Sequence, residues 1–301
     1  MKNITLSLLF GLLSTIFLTA QHEIELIRVG YRSIGKASLE SKDHNALNDV
    51  SSAHNFYTFS FNYGHSLRDT SISTLYSISY ENISQVLDLS KVNQDAEWAT
   101  LPENYYKQPS FSQLSISLGL SKSFRKDWTL SGLLMVNTVD DFFKTALPTN
   151  INLGGMAYVN KAHNKRFSYG AGLLFLQLER KLLAAPVVSL SYQNEKRGVE
   201  ALIPAKLLFW QRINKVSYLE GSIYANFYSI EYQPGNEVIS TDIFSFKPDL
   251  SYNYLWGNFL KLSIGLDLPL RDVTIIARDE IFNYQQNSLG FNISLSLVIS
   301  T

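Results

Sequence analysis

The sequence predicts an all-β fold: a single closed antiparallel transmembrane β-barrel of about 12 strands (about 12–14), behind a cleaved signal peptide. Three observations predict it. Segment after segment alternates apolar and polar residues at period two. The segments run to about ten residues, the length of a tilted strand that crosses a bilayer. The polar positions, in the N-terminal half above all, hold Ser, Gly, Asn and Thr. A β-sandwich also alternates, but it turns Lys, Glu, Thr and Arg to water; small polar side chains are what a closed barrel interior holds.

The first element is a targeting segment. Lys2 gives a short positive start, residues 4–18 are apolar apart from small polar residues, and Thr19-Ala20 precedes Gln21. This pattern predicts a signal peptide over 1–20 and a barrel domain over 21–301. The apolar run is shorter than the roughly 20 residues a helical span needs.

Residues 24–34 form a first strand, with Ile27, Val29 and Tyr31 on one face. Residues 55–64 follow, with Tyr57, Phe59, Phe61 and Tyr63 facing one way and Thr58, Ser60 and Asn62 the other. In 72–80, Ile72, Tyr76, Ile78 and Tyr80 alternate with Ser73, Ser77 and Ser79. The clearest hairpin is 111–138. Leu114, Ile116, Leu118, Leu120 and Phe124 oppose Ser115, Ser117, Gly119, Ser121 and Ser123; a charged turn, Arg125-Lys126-Asp127, leads to Trp128, Leu130, Leu134 and Val136. Segments 151–159, 167–178, 187–192, 199–210 and 219–230 continue the alternation. Residues 244–255 and 259–270 form a hairpin turning at Trp256-Gly257-Asn258, where Gly257 supplies a positive φ. Residues 272–287 are mixed, and 288–299 close the chain with Leu289, Phe291, Ile293, Leu295, Leu297 and Ile299 on one face. Short turns at 194–198 and 213–215 flank one strand and conflict with the rule that tight turns share the periplasmic side.

Tyr57, Tyr63, Tyr80, Trp128, Tyr252 and Tyr254 sit on apolar parities near strand ends, as interface aromatics do. The chain resembles the outer-membrane β-barrel proteins of Gram-negative bacteria, and among them a family of unassigned function. The residues that carry the resemblance are the leader followed by Gln21, the serial hairpins, and Leu202-Ile203-Pro204-Ala205 before a strand. Many such proteins end on an aromatic residue; this one ends Ile299-Ser300-Thr301. The resemblance implies the bacterial outer membrane and supplies no catalytic residues.

Lys and Arg number 26 and Asp and Glu 26, so no positive excess exists to neutralise nucleic-acid phosphates. Cysteine is absent, which excludes a lipid-anchored N-terminus, thiol catalysis and disulfides. The five histidines include His44 and His54, which share a loop region with Asp43; Asp140-Asp141 and Asp279-Glu280 fall in other loops. Solvated loop side chains explain these residues, and no nucleophile elbow or zinc spacing occurs, so neither catalytic residues nor a metal or cofactor is expected.

The polar parity of the C-terminal half differs. It carries Glu200, Lys206, Arg212, Glu220, Lys247, Asp249, Lys261 and Asp267. Balanced signs point to a lumenal salt-bridge network more than to a charged selectivity ring. Pairing Leu255 with Phe259 sets Lys247 opposite Asp267 and Asn253 opposite Lys261. The expected function is a passive or substrate-selective outer-membrane channel or transporter for a small solute, with outer-membrane lipid as its surroundings. The alternative is a closed-lumen barrel whose outer loops bind a partner, and a membrane-embedded hydrolase comes third. Lumen bore separates the first two.

Overall fold

The computed structural model describes residues 23–41, 51–66, 72–88, 110–140, 151–178, 181–232, 239–257, 259–268, 271–277, 280–286 and 288–300. The leader 1–20 lies outside them, as do Asp43, His44, Asp141 and Asp279. The strands are β1 (Glu23–Ser41), β2 (Ser51–Ser66), β3 (Ile72–Asp88), β4 (Ser110–Arg125), β5 (Trp128–Asp140), β6 (Ile151–Ala162), β7 (Phe167–Leu178) and β8 (Lys181–Gln193). They continue as β9 (Arg197–Ile203), β10 (Lys206–Asn214), β11 (Ser217–Tyr232), β12 (Ile239–Trp256), β13 (Leu260–Asp267), β14 (Arg271–Ala277), β15 (Glu280–Gln286) and β16 (Gly290–Ser300).

Each strand pairs antiparallel with its neighbours, and β16 closes the sheet against β1 from Glu23↔Ser300 to Ile34↔Gly290. Closure is what a bilayer demands, because an unpaired backbone group in hydrocarbon costs several kcal/mol. β13 and β14 lie in line along β12, the first against 249–256 and the second against 241–245. β15 and β16 likewise lie in line along β1. The wall therefore has 14 strand positions, two of them interrupted.

Fourteen replaces the expected twelve, and the largest cause is Pro204. The run 199–210 is a hairpin, β9 and β10, joined at Pro204-Ala205. Proline lacks the N–H a ladder needs and fixes φ for a turn. With that turn in place, 194–196 and 215–216 fall at the same end of the barrel, and the conflict between them disappears. Glu23 of β1 and Ser300 of β16 lie at this end too, together with the tight turn at 126–127. It is the inner, periplasmic end by the turn-length rule, and the longer connections 42–50, 89–109 and 141–150 fall at the other.

Parity decides what each side chain meets. On β4, Leu118 is 42% exposed and its neighbour Ser117 is 3% exposed. Phe59, Phe61, Ile116, Leu134, Leu153 and Leu295 are exposed on the outward face in the same way. An apolar belt this extensive matches hydrocarbon and not water. At the inner rim the Phe124 and Trp128 rings lie 6.4 Å apart, and the Lys161 ammonium lies 5.4 Å from the Trp128 ring.

The lumen is narrow. Fourteen strands about 4.8 Å apart and tilted about 40° would enclose a tube about 28 Å across. β5 and β11 stand nearly opposite each other on the wall, yet their Cα atoms approach within 8 Å. Leu133, Met135, Met156, Tyr158, Leu174, Val187, Leu202, Ala205 and Ala225 form a buried apolar cluster at this constriction. The short β9–β10 hairpin brings its turn into the cluster, where the Ala225 N–H donates to the Ala205 carbonyl at 3.0 Å.

Candidate functional site

The lumen has two chemically distinct arcs. On β9 to β13 and β1, with the neutral β16 between β13 and β1, it is charged. The Lys206 ammonium donates to Glu200 Oε2 at 3.1 Å, and these side chains are 0% and 8% exposed. The pair spans the β9–β10 hairpin, where Lys206 lies opposite Leu202 and Glu200 opposite Leu208. A two-residue turn preserves parity, so both charges face inward although the sequence places them on a single strand. Glu220 lies within electrostatic reach of Lys206 and Lys261 and of the acids Glu25 and Asp249.

Toward the inner end Lys261 is ion-paired with Glu25 and lies 3.5 Å from the Tyr218 hydroxyl. Higher up, Arg32 Nε lies 3.0 Å from Asp267 Oδ2. Asp249 stands directly opposite Asp267 on the neighbouring strand and accepts a hydrogen bond from the Asn292 amide. The guanidinium of Arg32 stacks 5.5 Å from the centroid of Phe56 on the lumenal face of β2.

This corrects the expected pairing. Trp256 pairs with Leu260, not Leu255 with Phe259, because the turn begins one residue later, with Gly257 at φ 63°. The register moves by two residues, which keeps every side chain on its face but changes every partner. Asp267 meets Asp249, Asn253 meets Ser263 and Lys261 meets Leu255. The backbone of Lys247 pairs with Tyr224, and its side chain lies outside the described residues. Arg212 is exposed at the inner rim, where its N–H donates to the Lys196 carbonyl at 2.7 Å.

The charges that the period-two pattern passed over are Glu25, Arg28 and Arg32. Arg28 and Arg32 stand on the parity opposite Ile27, Val29 and Tyr31, a legible signal. Glu25 shares the parity of Ile27 and reaches the lumen because a bulge at Leu26 shifts the register between Glu25 and Ile27. Arg28 lies 3.9 Å from Glu25.

Among the described lumenal side chains, the second arc, β2 to β8, is neutral apart from Glu81 and His54. Its inner half is hydroxyl-rich. Ser77 donates to Asn62 Oδ1, and Ser121 lies 3.3 Å from Ser131. Its middle is the apolar cluster at the constriction. Outward of Met135 and on the same face lies Asn137, which is paired with Asn152 on one side and Ser115 on the other. Asn137 is 1% and Asn152 0% exposed. Both polar atoms of each amide lack a hydrogen-bond partner, as do Ser115 Oγ and Gln113 Nε2.

The six expected interface aromatics all take outward parity. Tyr57, Tyr63, Tyr252 and Tyr254 are exposed, and Trp128 is half-buried at the inner turn. Tyr63 stacks on Tyr76 across β2 and β3 at 6.5 Å. The Tyr80 hydroxyl lies 2.9 Å from Ser112 Oγ. His54, expected as a solvated loop residue, instead lies buried on β2 and stacks on Phe56, with ring centroids 6.1 Å apart. Among the described residues no three His, Cys, Asp or Glu side chains gather as a metal would require.

Comparison with protein-family models and with curated proteins finds no match. Among solved structures, the chain is similar to a TodX monoaromatic hydrocarbon channel mutant at 8% identity, covering 99% of this chain and 96% of that one, with a TM-score of 0.48. It is similar to the KdgM porin at 7% identity over 90% and 98% of the two chains, TM-score 0.31. Salmonella typhi OmpF matches at 6% identity over 91% and 97%, TM-score 0.35. The fold stands on the strand pairing of this chain itself. A closed antiparallel sheet, an apolar outer belt, a polar interior and tight turns at the terminal end make it a transmembrane β-barrel of the outer-membrane kind.

Proposed function

We propose that the protein is an outer-membrane transport barrel that passes a small solute through a narrow, substrate-selective lumen. The observation that carries this reading is the set of unpartnered polar atoms on Gln113, Ser115, Asn137 and Asn152. A buried polar group without a partner costs about 1–3 kcal/mol. A lumen filled only to hold the wall together has no use for that cost. A lane that binds and releases a polar solute recovers it on each passage.

The apolar constriction at β5 and β11 then sets selectivity, because a solute must displace or slip past Met135 and Met156 to cross. The charged arc fixes the opposite wall through ion pairs of balanced sign, so it imposes no strong preference for anions or cations. A second reading has its own observation. The approach of β5 to β11 favours a closed-lumen barrel whose outer loops bind a partner.

Proteoliposome swelling separates the two. The transport reading expects faster swelling than in protein-free liposomes for some small neutral or zwitterionic solutes, with a sharp size limit. Swelling indistinguishable from protein-free liposomes for every solute below about 500 Da would overturn it and leave the closed barrel.

A further inference from the structure

We infer that the outer half of the lumen holds a binding site for a neutral polyhydroxylated solute of mono- or disaccharide size, formed by Asn137, Asn152, Ser115 and Gln113. The inference rests on the transport reading and names the solute class of that lane. Register places the groups side by side. Ser115, Asn137 and Asn152 are consecutive cross-strand partners on β4, β5 and β6, and Gln113 is the next lumenal residue outward on β4. All four are buried, at 1%, 1%, 0% and 3% exposure for Ser115, Asn137, Asn152 and Gln113. Cross-strand neighbours have Cβ atoms about 4.5–5.5 Å apart, so the three polar groups of the row can engage one ligand together.

The chemistry of the groups selects the ligand. A primary amide offers two donors beside a two-lone-pair acceptor, and a serine hydroxyl both donates and accepts. Adjacent sugar hydroxyls, which also donate and accept, satisfy that mixture; a carboxylate or phosphate accepts only and would leave the amide oxygens unpaired. Ser115, Asn137 and Asn152 themselves are neutral; register sets Arg28 three strands from Ser115 at one end of the row and the backbone of Lys181 two strands from Asn152 at the other. Glu81, directly opposite Gln113, is a nearby carboxylate and accepts from hydroxyls. A sugar also has an apolar C–H face. Leu133 and Met135 follow Asn137 inward on β5, and Met156 and Tyr158 follow Asn152 inward on β6; all four belong to the buried apolar cluster. The four groups therefore lie at the outer side of the constriction, against the apolar cluster, and a solute arriving from outside reaches them by displacing the side chains that cover them.

The test is calorimetric titration of maltose into the protein folded in detergent, with gluconate and arginine as anionic and cationic comparators. The inference expects maltose to bind, the comparators to bind at least tenfold more weakly, and Asn137→Leu and Asn152→Leu each to weaken maltose binding at least tenfold. Both variants should melt no lower than wild type, since each replaces an unpartnered amide with an apolar group of similar size. Failure of maltose to bind, preference for gluconate or arginine, unchanged binding in both variants, or variants that lose binding and melt lower would each overturn it. If maltose does not bind while other solutes swell proteoliposomes, the site falls and the transport reading stands. If maltose binds and nothing permeates, the transport reading falls and the site remains.

Discussion

Removing Lys206 alone should harm the barrel more than removing Lys206 and Glu200 together. The ammonium is fully buried and donates to Glu200 Oε2 at 3.1 Å, and the other carboxylate oxygen, Oε1, has no hydrogen-bond partner. Lys206→Met keeps most of the side-chain volume and deletes the charge. The buried Glu200 carboxylate is then left uncompensated, a situation that costs about 3–5 kcal/mol. Glu200→Gln on its own strands the Lys206 ammonium, relieved in part by Glu220, and should cost somewhat less. The double variant replaces the ion pair with two neutral side chains of similar shape, a change that is often neutral. The assay is urea unfolding from detergent or thin liposomes, followed by intrinsic fluorescence and by mobility on unheated gels. The expected coupling is at least about 2 kcal/mol, above the additivity limit of about 0.5 kcal/mol for independent sites. Additive single effects would refute the reasoning and show that the two charges are separately solvated.

Other outcomes follow from the same geometry. Arg32→Met should couple to Asp267→Asn, because the ion pair at 3.0 Å belongs to them, whereas Lys247→Met should be additive with Asp267→Asn; the reverse pattern in a double-mutant cycle would restore the rejected register. Leu118→Arg on the lipid face should cost about 2–4 kcal/mol in a lipid-folding titration, and Leu118→Phe almost nothing; equal folding yields would count against a bilayer-facing belt. Gly172→Ala should lower thermal stability by about 1–3 kcal/mol, because an added Cβ would come 2.1 Å from the Ala157 carbonyl oxygen and 2.3 Å from the Tyr158 Cβ; an unchanged melting temperature would show that β6 and β7 can part at that point.

Parity was the legible part of this chain, and partners were not. Period-two alternation assigns Ser117 to the lumen and Leu118 to lipid, and the same rule assigns Glu200, Lys206, Asp249, Lys261 and Asp267 to one side even where the strand limits are misjudged. That robustness has a simple origin: the two-residue turn at Pro204-Ala205 and the two-residue register change at Gly257 both preserve parity. Partners depend on where a turn begins, and one residue of displacement at Gly257 exchanges Lys247 for Asp249 opposite Asp267. Glu25 was hidden because the bulge at Leu26 breaks the period that the reading relied on. The constriction was hidden for another reason. Leu133, Met135, Met156 and Leu174 occupy lumenal parity, where small polar residues were expected, and an apolar residue on both faces of a strand resembles ordinary noise until opposite walls are brought together. The amide site follows from it: Asn137 and Asn152 are unremarkable as single asparagines and become a pair only through the β5–β6 register.

The most direct measurement of the central claim is single-channel conductance of the folded protein in a planar bilayer, recorded with and without added maltose. A narrow, selective lumen predicts small, discrete conductance steps, well below those of a wide water-filled pore, that added neutral sugar reduces in a saturable manner. Either a silent membrane at every voltage and solute or a large ohmic conductance indifferent to sugar would contradict it.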